Sequence, residues 1–193
     1  MTGVFELKIE SVFHITHFKN LKNIQSHGLL SYSVARSKQV LINDISNQSV
    51  QEKRQKQEPI YGRPLHDYVP SFFNPRNAML YSRRDLQDRL VILEISIEII
   101  KEIEYLFTNG NAAANDAEFF NSFDDFERLP WNHIMRRNWY DMPIVKNRMM
   151  SEILAYPGIP TKYIRRLHYK NHSHNGFYLK SGFASRWSPE KFF

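Results

Sequence analysis

The chain has no cysteine among its 193 residues, so a disulfide, a thiolate metal site and a cysteine nucleophile are all excluded. Glycine is also scarce, at 7. Neither G-x-x-x-x-G-K nor G-x-G-x-x-G occurs, which removes the two common glycine-rich phosphate cradles. No H-E-x-x-H is present. His172 and His174 stand two apart in a polar tail, a weak start for a metal site. No run reaches the roughly 18 apolar residues that cross a bilayer. Residues 1–8 lack a basic stretch leading into an apolar core. These absences lead us to expect a cytoplasmic protein that binds no metal and has no membrane partner.

What is present suits a globular fold. Hydrophobic residues make up 42% and charged residues 24%, enough to bury a core in a single domain over residues 1–193. Aromatic residues are abundant, with 14 Phe and 10 Tyr. Net charge is +6, and arginine pairs stand close to rings: Arg83-Arg84 after Tyr81, Arg136-Arg137 before Trp139, Arg165-Arg166 before Tyr169. Basic charge draws phosphate backbones and aromatic faces stack on bases. A generally basic surface without a partner has the same signature.

Alternation over residues 11–16 predicts a strand with Val12, His14 and Thr16 on one face. Residues 20–27 read as a helix with Gly28 at its C-terminal cap. Residues 34–45 have no period and read as loop. A polar helix over 44–57 follows, capped by Ser46 or Asn47 and carrying Arg54. Residues 68–73 form a strand, and Pro70 in it predicts a sheet edge or a bulge. Residues 74–81 turn into a short helix. The run over 90–96 is the clearest buried strand. Residues 97–103 form a helical turn and 105–108 another strand. Small residues over 109–115 make a loop where backbone can approach closely. Phe119, Phe120, Phe123 and Phe126 recur at helical spacing and predict a helix over 117–126. A second helix is expected over 130–139, and a polar connection over 141–148. A strand begins at Glu152, the last strand covers 163–169, and the tail packs back through Phe177, Tyr178, Trp187 and Phe193.

Glu152 leads into the apolar run Ile153, Leu154, Ala155 and Tyr156, with Pro157, Gly158 and Pro160 just beyond. A carboxylate at the start of a buried strand is rigidly mounted at a sheet end. Most Glu side chains in such places are merely solvated. Glu94, inside the 90–96 strand, is the main rival. His14, Arg54 and Glu152 together offer two chemistries. They suit acid–base cleavage of a phosphodiester. They equally suit binding a dinucleotide and stabilising a sugar cation. Spacing does not choose between them.

Further motifs run in order along the chain: Phe13-His-Ile-Thr16, Gly28-Leu-Leu30, Val50-Gln-Glu-Lys-Arg54, Phe73-Asn-Pro-Arg76 and Met79-Leu-Tyr81. They continue through residues 107–115, Leu129-Pro-Trp131 and the Glu152 strand. Their order and spacing, to about Tyr169, resemble the DarT-type DNA ADP-ribosyltransferases, toxins of toxin–antitoxin pairs. The resemblance implies an α+β, ADP-ribosyltransferase-like fold, with central mixed or antiparallel sheets and flanking helices. It implies NAD as donor substrate, a base in single-stranded DNA as acceptor, and a cognate antitoxin that reverses the modification. Glu152 and Arg54 fall on the family's catalytic residues. His14, Ile15, Thr16, Asn23, Leu30 and Tyr81 are the NAD contacts expected from it. Residues 109–151 correspond to the segment that presents the acceptor. Arg76, Arg83, Arg84 and Arg148 are the expected DNA path on charge and placement, with Tyr81 a further candidate there. Met150 stands two residues before Glu152, where many protein-modifying relatives carry Gln or Glu, and so favours a base acceptor. A metal-independent nuclease and a non-enzymatic nucleic-acid-binding module are the competing readings.

Overall fold

The computed structural model describes residues 9–46 and 48–193. Asn47, one of the two capping candidates, and the N-terminal stretch over 1–8 lie outside the described residues. The strands are β1 (Ser11–His17), β2 (Leu29–Leu30), β3 (Val69–Phe72), β4 (Leu90–Ser96), β5 (Glu104–Thr108), β6 (Phe119–Phe120), β7 (Glu152–Tyr156), β8 (Gly158–Ile159), β9 (Ile164–Tyr169) and β10 (Ser185–Trp187). The α-helices are α1 (Leu21–His27), α2 (Tyr32–Ser37), α3 (Gln48–Lys53), α4 (Ala78–Ser82), α5 (Trp131–Ile134), α6 (Pro143–Arg148) and α7 (Asn175–Lys180). Eight strands form one mixed sheet in the order β10-β9-β4-β1-β3-β7-β5-β6, and β2 pairs with β8 separately. Only β10 and β9 run parallel; the other neighbours are antiparallel. The class is α+β, as expected.

Alternation along the strands sends apolar side chains to both faces. Val12, Val91, Leu93, Ile95, Ile153 and Ala155 join Leu21 and Ile24 of α1, Ile134 of α5 and Tyr178 of α7 in the largest core cluster. Ile15, Leu90 and Ile92 point the other way, onto Leu80 of α4 and Phe192. Leu154 and Leu106 continue that second face with Leu65, Tyr68 and Ala112. Each such side chain contributes about 1.5–3 kcal/mol by leaving water. The tail packs back only in part: Tyr178 and Phe192 are buried, whereas Phe177 and Trp187 are exposed.

Pro70 is the main departure that concerns the site. It sits inside the sheet, between β1 and β7, and not at an edge. The strand accommodates it because β3 pairs with β1 at a single position, Phe13↔Phe72. Pro70 has no N–H to give, so the ladder fails beside it. His14 enters the gap instead, and its Nδ1–H donates to the Pro70 carbonyl at 2.8 Å.

Several helices also differ from expectation. Residues 117–126 are not helical: Phe119 and Phe120 form β6 against Thr108 and Phe107, and a 3-10 turn covers Phe123–Arg128. Residues 32–37, overlapping the start of the expected loop over 34–45, form α2, capped by Ser31. The polar helix is shorter than predicted and ends at Lys53, although Arg54 N–H still donates to Val50 O. The helix over 130–139 stops at Ile134, and the polar connection before Glu152 contains α6, opened by Pro143. Gly28 holds φ 75° at the end of α1, where a Cβ would come within 2.5 Å of Ile159 O. Among the described residues no helix is long and apolar enough to cross a membrane.

Candidate active site

Glu152 opens β7, and pairing with Phe72 of β3 fixes its backbone there. Its N–H faces Thr108 Oγ1 at 3.4 Å, whose own hydroxyl donates to Gly110 O. The small-residue loop after β5 therefore folds over the carboxylate. Ala112 N–H donates to Glu152 Oε1 at 3.0 Å. Asn147 of α6 holds the same loop, with Oδ1 accepting from Asn111 N–H. Arg148 Nη1 donates to Asn109 O at 2.8 Å. The loop's small side chains let its backbone come this close.

Arg54 reaches the same carboxylate, Nη1 to Oε1 at 3.5 Å, with the Glu152 side chain 1% exposed and that of Arg54 13%. Two atoms of this pair lack partners: Glu152 Oε2 and Arg54 Nη2 are both buried without a hydrogen bond. Buried polar atoms are nearly always satisfied, so an acceptor and a donor left over side by side form a ready ligand cradle. Burial pushes the Glu152 carboxyl above its usual range, while the Arg54 charge and the Ala112 N–H pull it back.

His14 stands across the gap between β1 and β3. By register it points to the face opposite Glu152, because Phe13, Phe72 and Glu152 share a face. It makes no hydrogen bond to Arg54 or Glu152, yet it lies within the field of the Arg54 charge. Burial and that charge lower its pKa, against the Pro70 hydrogen bond. The ring is therefore neutral near pH 7, with Nδ1 protonated and Nε2 an acceptor. It lines a small open cleft of about 70 Å³ together with Thr16, Asn23, Leu30, Gly28 and Leu41. Asn20 shapes this cleft: Oδ1 accepts from Ile42 and Asn43 N–H, and Nδ2 donates to Thr16 Oγ1 and Asn43 O. Asn23 Nδ2 pins Val40 O.

The expected NAD contacts thus divide. His14, Thr16, Asn23 and Leu30 line one cleft. Ile15 turns its side chain into the second core cluster. Tyr81 lies elsewhere, edge-on to Trp139 and Phe193. The expected DNA contacts are also spread. Arg76 donates to the carbonyls of Phe192 and Arg137 and lies over the Phe193 ring. Arg83 Nε donates to Ile45 O at 2.6 Å, and exposed Arg84 stacks over Tyr81. Glu94 is used up within the sheet by Ser11 Oγ, His168 Nε2 and Arg166. Among the described residues no group of three or more acidic or His side chains is set to hold a metal. The sequence reading gave Ala112 and Asn20 no site role. Ala112 acts through backbone, and its only signal was the run of small residues around it. Asn20 looks like an ordinary helix start.

The profile of a family described as ssDNA thymidine ADP-ribosyltransferase, DarT, matches residues 13–189. A DNA ADP-ribosyl transferase of Thermus sp. (strain 2.9) is 30% identical over 170 residues, covering 81% of this chain and 79% of its own. A DNA ADP-ribosyl transferase–DNA ADP-ribosyl glycohydrolase fusion protein of Thermosipho africanus is 24% identical over 171 residues, 86% of this chain and 44% of its own. The fold matches Thermus sp. 2.9 DarT in complex with ADP-ribosylated ssDNA at a TM-score of 0.88 and 23% identity, over 96% of this chain and 97% of that one. The same protein in complex with NAD+ matches at 0.83 and 23%, over 96% and 98%.

Proposed function

The chain belongs to the DarT family of single-stranded-DNA thymidine ADP-ribosyltransferases, and from that premise we propose that it transfers the ADP-ribose of NAD to a thymidine of single-stranded DNA, with Glu152 and Arg54 as its catalytic pair. The bond broken joins the ribose C1′ to the nicotinamide nitrogen; the bond formed joins C1′ to the base. As nicotinamide leaves, C1′ gains oxocarbenium character. Glu152 Oε2 accepts a hydrogen bond from the ribose 2′-hydroxyl, and its charge offsets the developing cation. Thymine carries one ring N–H, at N3. Its proton passes to the buried Glu152 carboxylate, whose proton affinity burial raises.

Arg54 holds Glu152 Oε1 with Nη1 and offers Nη2 to an oxygen of the substrates, a pyrophosphate oxygen or a thymine carbonyl. His14 spends Nδ1–H on Pro70 and presents Nε2 as an acceptor for a ribose hydroxyl in the cleft. The acceptor base must be unstacked to reach C1′, which favours single-stranded DNA. The observation that carries these assignments is the adjacent pair of buried, partnerless atoms on Glu152 and Arg54.

The chain acts as a toxin in the cytoplasm, where NAD and exposed single strands are available. Its cognate antitoxin removes the ADP-ribose, a pairing that the Thermosipho africanus fusion protein supports by joining a transferase and a glycohydrolase in one chain. Incubation with NAD labelled in its adenosine should label single-stranded oligonucleotides that contain thymidine and leave thymidine-free ones unlabelled. Absence of label from every oligonucleotide, or equal labelling by Glu152→Ala, would overturn the proposal.

A further inference from the structure

Resting on that transfer reading, we infer that Tyr81, Trp139 and Phe193 form a stacking platform for the stretch of single-stranded DNA that runs on from the acceptor base. The three rings meet edge-on. Tyr81 lies 5.5 Å from Trp139 and 5.1 Å from Phe193, and Trp139 lies 5.9 Å from Phe193. Guanidinium groups cover the cluster from two sides: Arg84 is 4.8 Å from the Tyr81 centroid and Arg76 is 4.2 Å from that of Phe193. Tyr81 remains 42% exposed and Tyr140, next to Trp139, 76%. Such rings are normally hidden in a core, and a patch left on the surface marks a contact.

The patch is rigid. Asn74 Nδ2 donates to the carbonyls of Ile134 and Arg136, both at 2.8 Å, and so pins the segment leading to Trp139. Phe193 N–H is held by Gln87 Oε1 at 2.8 Å. Rigid rings lose little conformational freedom when a base stacks on them.

Position and charge select the occupant. Met79, two residues before Tyr81, faces Met150 Sδ through its N–H at 3.4 Å, and Met150 lies two residues before Glu152. Ser151 and α6 connect the Trp139 side to Glu152 as well. The platform is therefore continuous with the catalytic strand, while Tyr81 stands apart from the cleft that His14 lines. Arg136 and Arg137 are exposed at its rim, in a chain of net charge +6. A strand of DNA offers both things this surface matches: a π-face on every base and a phosphate at every step.

The test measures affinity by fluorescence anisotropy without NAD, for single strands of about four and about twelve nucleotides around one thymidine. Trp139→Ala should weaken the longer strand about tenfold, the loss of one stacked base, and leave the shorter one unchanged. Trp139→Phe should restore most of the loss. Arg137→Glu, at an exposed position that folding tolerates, should weaken the longer strand and lower the salt dependence of its binding. Equal binding of the longer strand by Trp139→Ala and Arg137→Glu, with both variants folded by thermal melting, would overturn the platform and assign the patch to a protein surface. Failure of the transfer reading has a different signature: wild-type protein that modifies neither strand when NAD is added.

Discussion

In the proposed mechanism Glu152 carries opposed demands. Catalysis wants a carboxylate in a dry place, and folding is penalised for putting it there. Burial holds its carboxyl above the ordinary value of 4.5, so the unfolded chain releases the proton more readily than the fold does. Stability from this group is therefore full below pH 4.5 and falls as pH rises toward the folded value. Glu152→Gln should reduce transfer by on the order of a hundredfold or more, in an oligonucleotide-labelling assay. The same variant should melt higher than wild type at neutral pH, and the difference should shrink below pH 4.5. Arg54→Lys keeps the charge and loses the fork. It should cut transfer roughly tenfold or more while the protein stays folded, because one ammonium cannot meet Oε1 and a substrate oxygen in the same geometry. The sequence singled out both residues of this proposed pair, through the strand that follows Glu152 and the family likeness. Their contact was not legible, because α3 and β7 are far apart in the chain and only the folded sheet brings them together. The Ala112 N–H was beyond reach for a simpler reason: backbone groups leave no mark of their own in a sequence.

Elements were read well where pattern and burial agree. β4 matches its predicted bounds because every residue of this run at the centre of the sheet except Glu94 is buried. The end of α1 at Gly28 was equally plain, since few residues other than glycine adopt φ 75° there. Gly28→Ala should cost about 1–3 kcal/mol, read as a lower midpoint in urea unfolding, through that backbone angle and the close approach of Ile159 O. The phenylalanine stripe misled because its helical spacing is real but pairing with β5 outcompetes it. Phe120 stacks on Phe107, and Phe126 meets Phe73 and Phe107 from a 3-10 turn. Tertiary packing overrides local period in such short segments. Pro70 misled in the opposite way. The rule that proline avoids inner strands holds for the ladder, and here the ladder with β1 is broken at that point. The break admits His14, so what looked like an edge signal marks the gap that holds this ring.

At the scale of the molecule, the α+β class followed from the family likeness, while the order of the strands was not legible in any local pattern. β9 joins β4 from far along the chain, and β3 is placed beside β7 by a register that no local pattern encodes. The C-terminal part is locked to the sheet by a buried line of groups: Ser188 Oγ meets His168 Nδ1 at 2.9 Å and His168 Nε2 meets Glu94 at 2.9 Å. Burial depresses the pKa of His168, and of His14, His17 and His66 as well. The unfolded chain then takes up protons near pH 6.5 where the fold does not. Stability from these groups is full above pH 6.5 and declines as pH falls below it. A lower melting temperature at pH 5.5 than at pH 7.5 is expected by calorimetry. The claim at the centre of the account is that a chain built around Glu152 and Arg54 joins ADP-ribose to thymidine. Fragmentation mass spectrometry of a single-stranded oligonucleotide carrying one thymidine, after incubation with NAD, tests it most directly. The account predicts a mass gain of one ADP-ribose on the thymidine, lost in Glu152→Gln; no gain, a gain on another base, or a gain undiminished in Glu152→Gln would contradict it.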